Sequence, residues 1–328
     1  MFGPRFTSVA CFTLLALSSG VAAIADEPIG ITDNSRVRFA SRDEGVRILT
    51  ADDEFARQLT KFDLQVRLQT TGEATLAAWR ESVAEQVLAW EAEDQLKVTG
   101  VLEKLRDKLA KLRLPLPHEV LLIRTTGKDE ANAAYTRANA IVLPRNVLLR
   151  QSAELESLLL HELFHVFSRH NRDVRRELYR SIGFEIVPDI ELPPSLRDRK
   201  MTNPDAPAVD CIIKLQVNDE TVTAAPLLYA TPAQFDPKHG TSLFQYLTFR
   251  LLVVEPRDGQ LSAAMKGEQP VVLDPKGLDS FYSQIGRNTQ YIIHPDEILA
   301  DNFVCLVQQR ENLKTPRVVQ QMARILAK

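Results

Sequence analysis

Two histidines four residues apart, with a glutamate directly after the first, stand at His161-Glu162-Leu163-Phe164-His165. On a helix, positions i and i+4 lie on one face a turn apart, so both imidazoles can chelate one ion without bending the backbone. Glu162 sits beside them, is not needed as a ligand, and can accept a proton from water. Imidazole nitrogen and carboxylate oxygen suit Zn2+, which keeps a fourth position for water and lowers that water's pKa to about 7. The flanking residues Leu158, Leu159, Leu160, Leu163, Phe164, Val166 and Phe167 make the helix apolar on nearly every side. Two histidines and a glutamate buried in such a helix need partners, and one metal ion supplies them.

A zinc site of this kind needs a third ligand. His170 follows His165 by five residues and would point about 140° away on a continuous helix. The metzincin pattern fails as well, because Ser168 and Asn171 stand where it needs Gly and His. The stronger candidate is the stretch His294-Pro295-Asp296-Glu297-Ile298-Leu299-Ala300-Asp301. Pro295 suits the first turn of a helix, which puts Glu297 and Asp301 on one face at i and i+4. One carboxylate can bind the metal while the other holds the second ring nitrogen of a ligand histidine. Glu297 is the favoured ligand. The helix dipole by itself accounts for acidic residues at Asp296 and Glu297, but less well for Asp301 inside an apolar stretch. A donor that stabilises a developing oxyanion is also expected. Tyr291, His294, Tyr282 and His239 are the candidates, with Tyr291 and His294 nearest the presumed ligand helix in sequence.

The pairing of HExxH with a later E-x-x-x-D resembles the gluzincin clan of metallopeptidases. In the form Glu297-x-x-Ala300-Asp301 it is similar to thermolysin-like and HtpX-like enzymes and to prenyl-protein endopeptidases. The resemblance implies a zincin-like fold with one zinc ion held by His161, His165 and Glu297. It implies Glu162 as the catalytic base and Asp301 as the hydrogen-bond partner of a ligand histidine. It also implies that Asn139-Ala140 opens an edge strand that binds substrate backbone by β-pairing. The match covers residues 139–170 and 291–305. The chain between His165 and Glu297 is far longer than in thermolysin-like enzymes, and the transmembrane helices of the HtpX-like group have no counterpart.

These residues must be positioned by an α+β fold. Leu76, Trp79, Val83, Val87 and Trp90, then Leu96, Val101, Leu105, Leu109 and Leu112, recur at helical spacing, so residues 26–115 are expected to be mostly helical. Residues 119–124 and 140–143 are apolar runs with strand character, the second stopped by Pro144. A helix from Ser152 carries the HExxH motif, and a second, at 173–182, ends at Gly183. Residues 184–275 are rich in proline and strand-like runs, with a hairpin at 217–220. They are expected to form a β-rich insertion between the two ligand helices, inside a catalytic domain at 116–328. Further helices are expected at 278–285, from Pro295 to about Gln308, and from Pro316.

Composition bounds the rest. The chain has 328 residues, 45% hydrophobic and 25% charged, with a formal net charge of −3 and no basic block, so a nucleic-acid partner is not expected. Arg5, the apolar run 9–17 and Ala23-Ile24-Ala25 have the layout of a secretory signal peptide cleaved after Ala25. No later run is long enough to span a bilayer. The mature chain is therefore expected to be a secreted or periplasmic metallopeptidase, a hydrolase acting on a peptide or protein substrate. It would keep only Cys211 and Cys305, which export permits to pair and which fit two buried free thiols at least as well. The rivals are a zinc hydrolase of a non-peptide or cell-wall amide and an inactive zinc-binding scaffold. The helical stretch 51–113 is either a pro-segment or, on the favoured reading, an integral subdomain.

Overall fold

The computed structural model describes residues 27–327 and has an α+β fold. The expected signal peptide lies outside the described residues. The chain opens with a hairpin, β1 (Ile29–Thr32) and β2 (Ser35–Phe39), and then turns helical. Short helices α1 (Arg42–Leu49), α2 (Glu54–Gln58) and α3 (Lys61–Leu68) each start at a Ser, Asp or Thr whose side chain caps the first turn. Next come α4 (Leu76–Gln86), a two-residue strand β3 (Val87–Leu88) and α5 (Ala92–Leu109). Helical spacing through Val87 is thus broken. Val87 and Leu88 pair with Thr125 and Arg124 instead, because the sheet edge offers them backbone partners.

A six-stranded sheet forms the platform of the site. Strands β4 (Glu119–Thr125), β5 (Tyr135–Arg137) and β6 (Ala140–Pro144) join β1 and β2 in the order β1-β2-β4-β6-β5. The β2, β4 and β6 strands run parallel, with β1 and β5 antiparallel at the borders. Val120, Leu122, Ile141 and Leu143 point from this sheet into the main core. The opposite face packs on Phe55, Trp79 and Val83 of the early helices.

Helix α6 (Ser152–His170) lies against the sheet and is followed by α7 (Arg172–Ser181). Gly183, at φ +87°, lets the chain leave α7, as a C-terminal glycine should. A second, antiparallel sheet follows: β7 (Phe184–Ile186), then the one-turn helix α8 (Pro194–Arg197), β8 (Cys211–Val217), β9 (Glu220–Ala230), β10 (Leu247–Arg257) and β11 (Gln260–Ala263). Asn218 and Asp219 both take positive φ in the β8–β9 turn, the geometry of a tight hairpin. The small strands β12 (Met265–Lys266) and β13 (Gln269–Pro270) pair with each other as a separate ribbon, and β14 (Val272–Leu273) pairs with β10. Helices α9 (Asp279–Ile285), α10 (Pro295–Val307) and α11 (Pro316–Leu326) complete the chain.

The packing does not respect a boundary at residue 115. The largest core cluster joins Ile31 and Val37 of the hairpin and Val98, Leu102 and Leu105 of α5 to residues of α6, α10, α11 and the second sheet. The helical N-terminal region therefore shares its core with the rest of the fold and supplies two strands of the platform. No helix among the described residues is long and apolar enough to cross a membrane. Cys211 and Cys305 are both free and buried.

Candidate metal centre

Helices α6 and α10 bring the motif residues together. The α6 helix begins where Gln151 N–H donates to the Glu154 carboxylate at 3.2 Å. The α10 helix begins at His294, whose Nδ1 accepts from Asp296 N–H at 3.2 Å, with Pro295 in the first turn. Phe164 and Phe303 pack between the two helices with ring centroids 5.6 Å apart. That contact fixes the approach of the two polar faces.

Three donor atoms converge there. Glu297 Oε2 lies 3.0 Å from His161 Nε2 and 3.2 Å from His165 Nε2. The second distance meets no hydrogen-bond geometry, and His165 Nε2 is a buried nitrogen without a hydrogen-bond partner among the described residues. Glu297 and His165 are almost fully buried. His161, His165 and Glu297 form a group whose ligand atoms lie within 4.8 Å of one another.

Each histidine is held from behind. His161 Nδ1 faces Asp301 Oδ1 at 3.0 Å, and His165 Nδ1 faces Asp296 Oδ2 at 2.7 Å. When each carboxylate takes an Nδ1–H, both Nε2 lone pairs point to the common centre. The carboxylates are braced in turn. Asp296 Oδ1 accepts from Ser168 Oγ at 2.5 Å and Tyr179 OH at 2.9 Å, Thr289 donates to Asp301, and Asn203 Nδ2 donates to Glu297 Oε1 at 2.6 Å. An orphaned ring nitrogen, two oriented imidazoles and a shared carboxylate oxygen together fit a divalent cation. Burial disfavours charge on His161, but its bonds to Asp301 and Glu297 outweigh that and hold its pKa up to about 10. Burial likewise opposes charge on His165, and Asp205, Glu297 and Asp296 raise it all the same.

Glu162 stands beside this group, buried, with Oε2 lacking a hydrogen-bond partner among the described residues. Burial, and then the charge of Asp205, push its carboxyl up to about 8 against the opposing pull of both histidines. His161, Glu162, Glu297 and Asp301 all line a cleft of about 550 Å³ that also meets Ala133, Ala134 and Tyr291.

The other expected site residues fall into place unevenly. Tyr291 borders the cleft, its ring 40% exposed and stacked on His161 at a centroid distance of 6.0 Å. Burial and the charges of Glu297, Asp205 and Glu162 push its phenol above the usual range, so it keeps its proton and can donate. His294 is not in the cleft, because its ring is committed to capping α10. Burial lowers its pKa to about 4, and Nε2 lies 3.4 Å from Cys211 Sγ. With Nδ1 accepting from a backbone N–H, Nε2 carries the proton, so the nearby grouping of Asp210, Cys211 and His294 is poorly set for a metal. His239 lies in a surface turn, and Tyr282 packs under Arg287.

The expectation for Asn139 and Ala140 is corrected. Ala140 pairs with Leu121 on one side and Arg137 on the other, so β6 is an interior strand and cannot add a substrate strand. Asn139 instead ties its side chain to Glu119 O at 2.8 Å. The border strand is β5, and the residues meeting the cleft just before it are Ala133 and Ala134. Asp296 was legible only as a helix-dipole residue. Ser168, Tyr179, Thr289, Asn203 and Asp205 carried no spacing signal, since only the fold brings them near. Comparison with protein-family models, curated proteins and solved structures finds no match for this chain.

Proposed function

We propose that the chain is an exported zinc-dependent metallopeptidase with a zincin-like core. The observation that carries this is the convergence of His161 Nε2, His165 Nε2 and Glu297 Oε2 beside an unpartnered, buried Glu162 carboxylate. A structural zinc site has no use for such a carboxylate, whereas a hydrolytic one needs it as a base. Zinc held there supplies Lewis acidity, acidifying water and polarising a carbonyl.

The chain's own residues do the rest. Glu162 takes a proton from water at Oε2 and delivers it to the leaving amine. Asp301 and Asp296 keep the two imidazoles oriented through their Nδ1 protons. Tyr291 OH is the donor best placed to steady an oxyanion, since its ring lies against His161 at the open side of the cleft. A peptide backbone can approach along the β5 border, where main-chain pairing gives affinity without demanding one side chain. Export rests on the layout of the first 25 residues.

Glu162→Gln tests the reading. The variant is expected to bind zinc as the wild type does and to lose at least about a thousandfold in hydrolysis of a denatured protein substrate, the order of a missing general acid–base group. Retained hydrolysis with full zinc would overturn the assignment.

A further inference from the structure

One wall of the cleft is formed by Asp205, at the tip of a tight turn over residues 202–207 in the chain that links α8 to β8. Both ends of the turn are anchored. Thr202 N and Oγ1 donate to Asp63 at 3.1 and 2.7 Å, and Lys200 Nζ holds Pro207 O at 2.6 Å. The tip closes on itself through Asp205 N donating to Asn203 Oδ1 at 3.1 Å.

That tip makes two contacts with the machinery. Asn203 Nδ2 donates to Glu297 Oε1. Asp205 Oδ1 accepts both from Thr136 N, at 2.8 Å, and from Thr136 Oγ1, at 2.5 Å. Thr136 is the middle residue of β5, the border strand, and its amide is a donor that an added strand would use. The Asp205 carboxylate also lies within 4.8 Å of the ligating atoms of Glu162 and His165. Two carboxylates side by side in a buried site repel one another, a cost that Arg169, 3.9 Å from Asp205 Oδ1, offsets in this position. The tip residues are half-buried, while Met201 and Thr202 at the stem are buried.

We propose that residues 202–207 are an autoinhibitory strap, in which Asp205 holds the edge-strand amide and the space beside Glu162 that a peptide substrate must take, while Asn203 ties the tip to Glu297. The tip swings out before substrate enters while its anchored stem stays in place. This rests on the zinc-peptidase reading.

The test uses the full mature chain loaded with zinc and acetohydroxamate as a probe of the open site. The Asp205→Ala variant, which leaves Asn203 to brace Glu297, is expected to keep stoichiometric zinc and to bind acetohydroxamate at least about tenfold more tightly. Tenfold corresponds to an open form populated at about a tenth or less in the wild type. Unchanged affinity with full zinc would overturn the strap. Lost turnover with unchanged affinity would overturn it too, because Asp205 would then assist the reaction. The wild type gives a readout that does not depend on the variant folding. Hydrogen exchange at the Thr136 amide should speed up when acetohydroxamate saturates the site, and unchanged exchange would contradict the proposal. A wild type that binds no zinc would instead bring down the functional reading, and the strap with it.

Discussion

The site turns on which nitrogen of each histidine is free. When Asp301 and Asp296 take the Nδ1 protons, both Nε2 lone pairs are left facing Glu297 Oε2. Removing such an outer carboxylate usually costs 10–100-fold in metal affinity. Asp296→Asn and Asp301→Asn are each expected to weaken zinc binding by about that factor in a competition titration, while the ligand residues remain. Asp296→Asn should cost more, because Asp296 is 3% exposed and also anchors Ser168 and Tyr179. Protonation gives a second prediction. The folded state raises His161 from 6.5 to about 10, so its pairing stabilises the metal-free protein fully below pH 6.5 and is lost as pH rises through 10. The melting temperature of the metal-free chain should therefore fall towards high pH. The zinc-loaded chain, where metal displaces that proton, should not show this decline.

At the scale of elements, the sequence announced what local chemistry encodes. Helix α6 was legible because its apolar flanks and two-histidine spacing lie within one continuous segment, and α10 because Pro295 precedes a periodic run. The β4 and β6 strands followed from their apolar runs. The border position of β5 was not legible, since strand order depends on pairing between distant segments, and a three-residue strand carries little pattern. The same holds for the strap, whose Asn-Pro-Asp-Ala-Pro sequence looks like any turn. One buried side chain joins these pieces. Arg67 on α3 donates to Asp63 and Glu130 at 2.7 Å each and to Thr202 O at 3.1 Å. It thereby links the early helices, the loop before β5 and the stem of the strap. Arg67→Ala leaves two carboxylates buried without their cation, which is expected to cost about 3–5 kcal/mol in chemical denaturation. A loss below 1 kcal/mol would show that the carboxylates find another partner.

Over the whole molecule, the centre is assembled from segments far apart in the chain, on a platform to which the first strands contribute. The α5 residues Val98, Val101, Leu102, Leu105 and Leu109 are buried in the same core as α6 and α10. Removing residues 51–113 would strip that face from the core. On the proposed reading the ligands come from two helices held by one core, so metal binding would be coupled to folding, and zinc at a thousandfold excess over its dissociation constant would add about 4 kcal/mol to stability. The central claim is that His161, His165 and Glu297 hold one divalent ion. Calorimetric titration of the metal-free chain with zinc, beside Glu297→Ala, measures it directly. One equivalent bound tightly by the wild type, with affinity reduced at least about a hundredfold in the variant, is the expected result. No saturable binding by the wild type, or full affinity in Glu297→Ala, would contradict it.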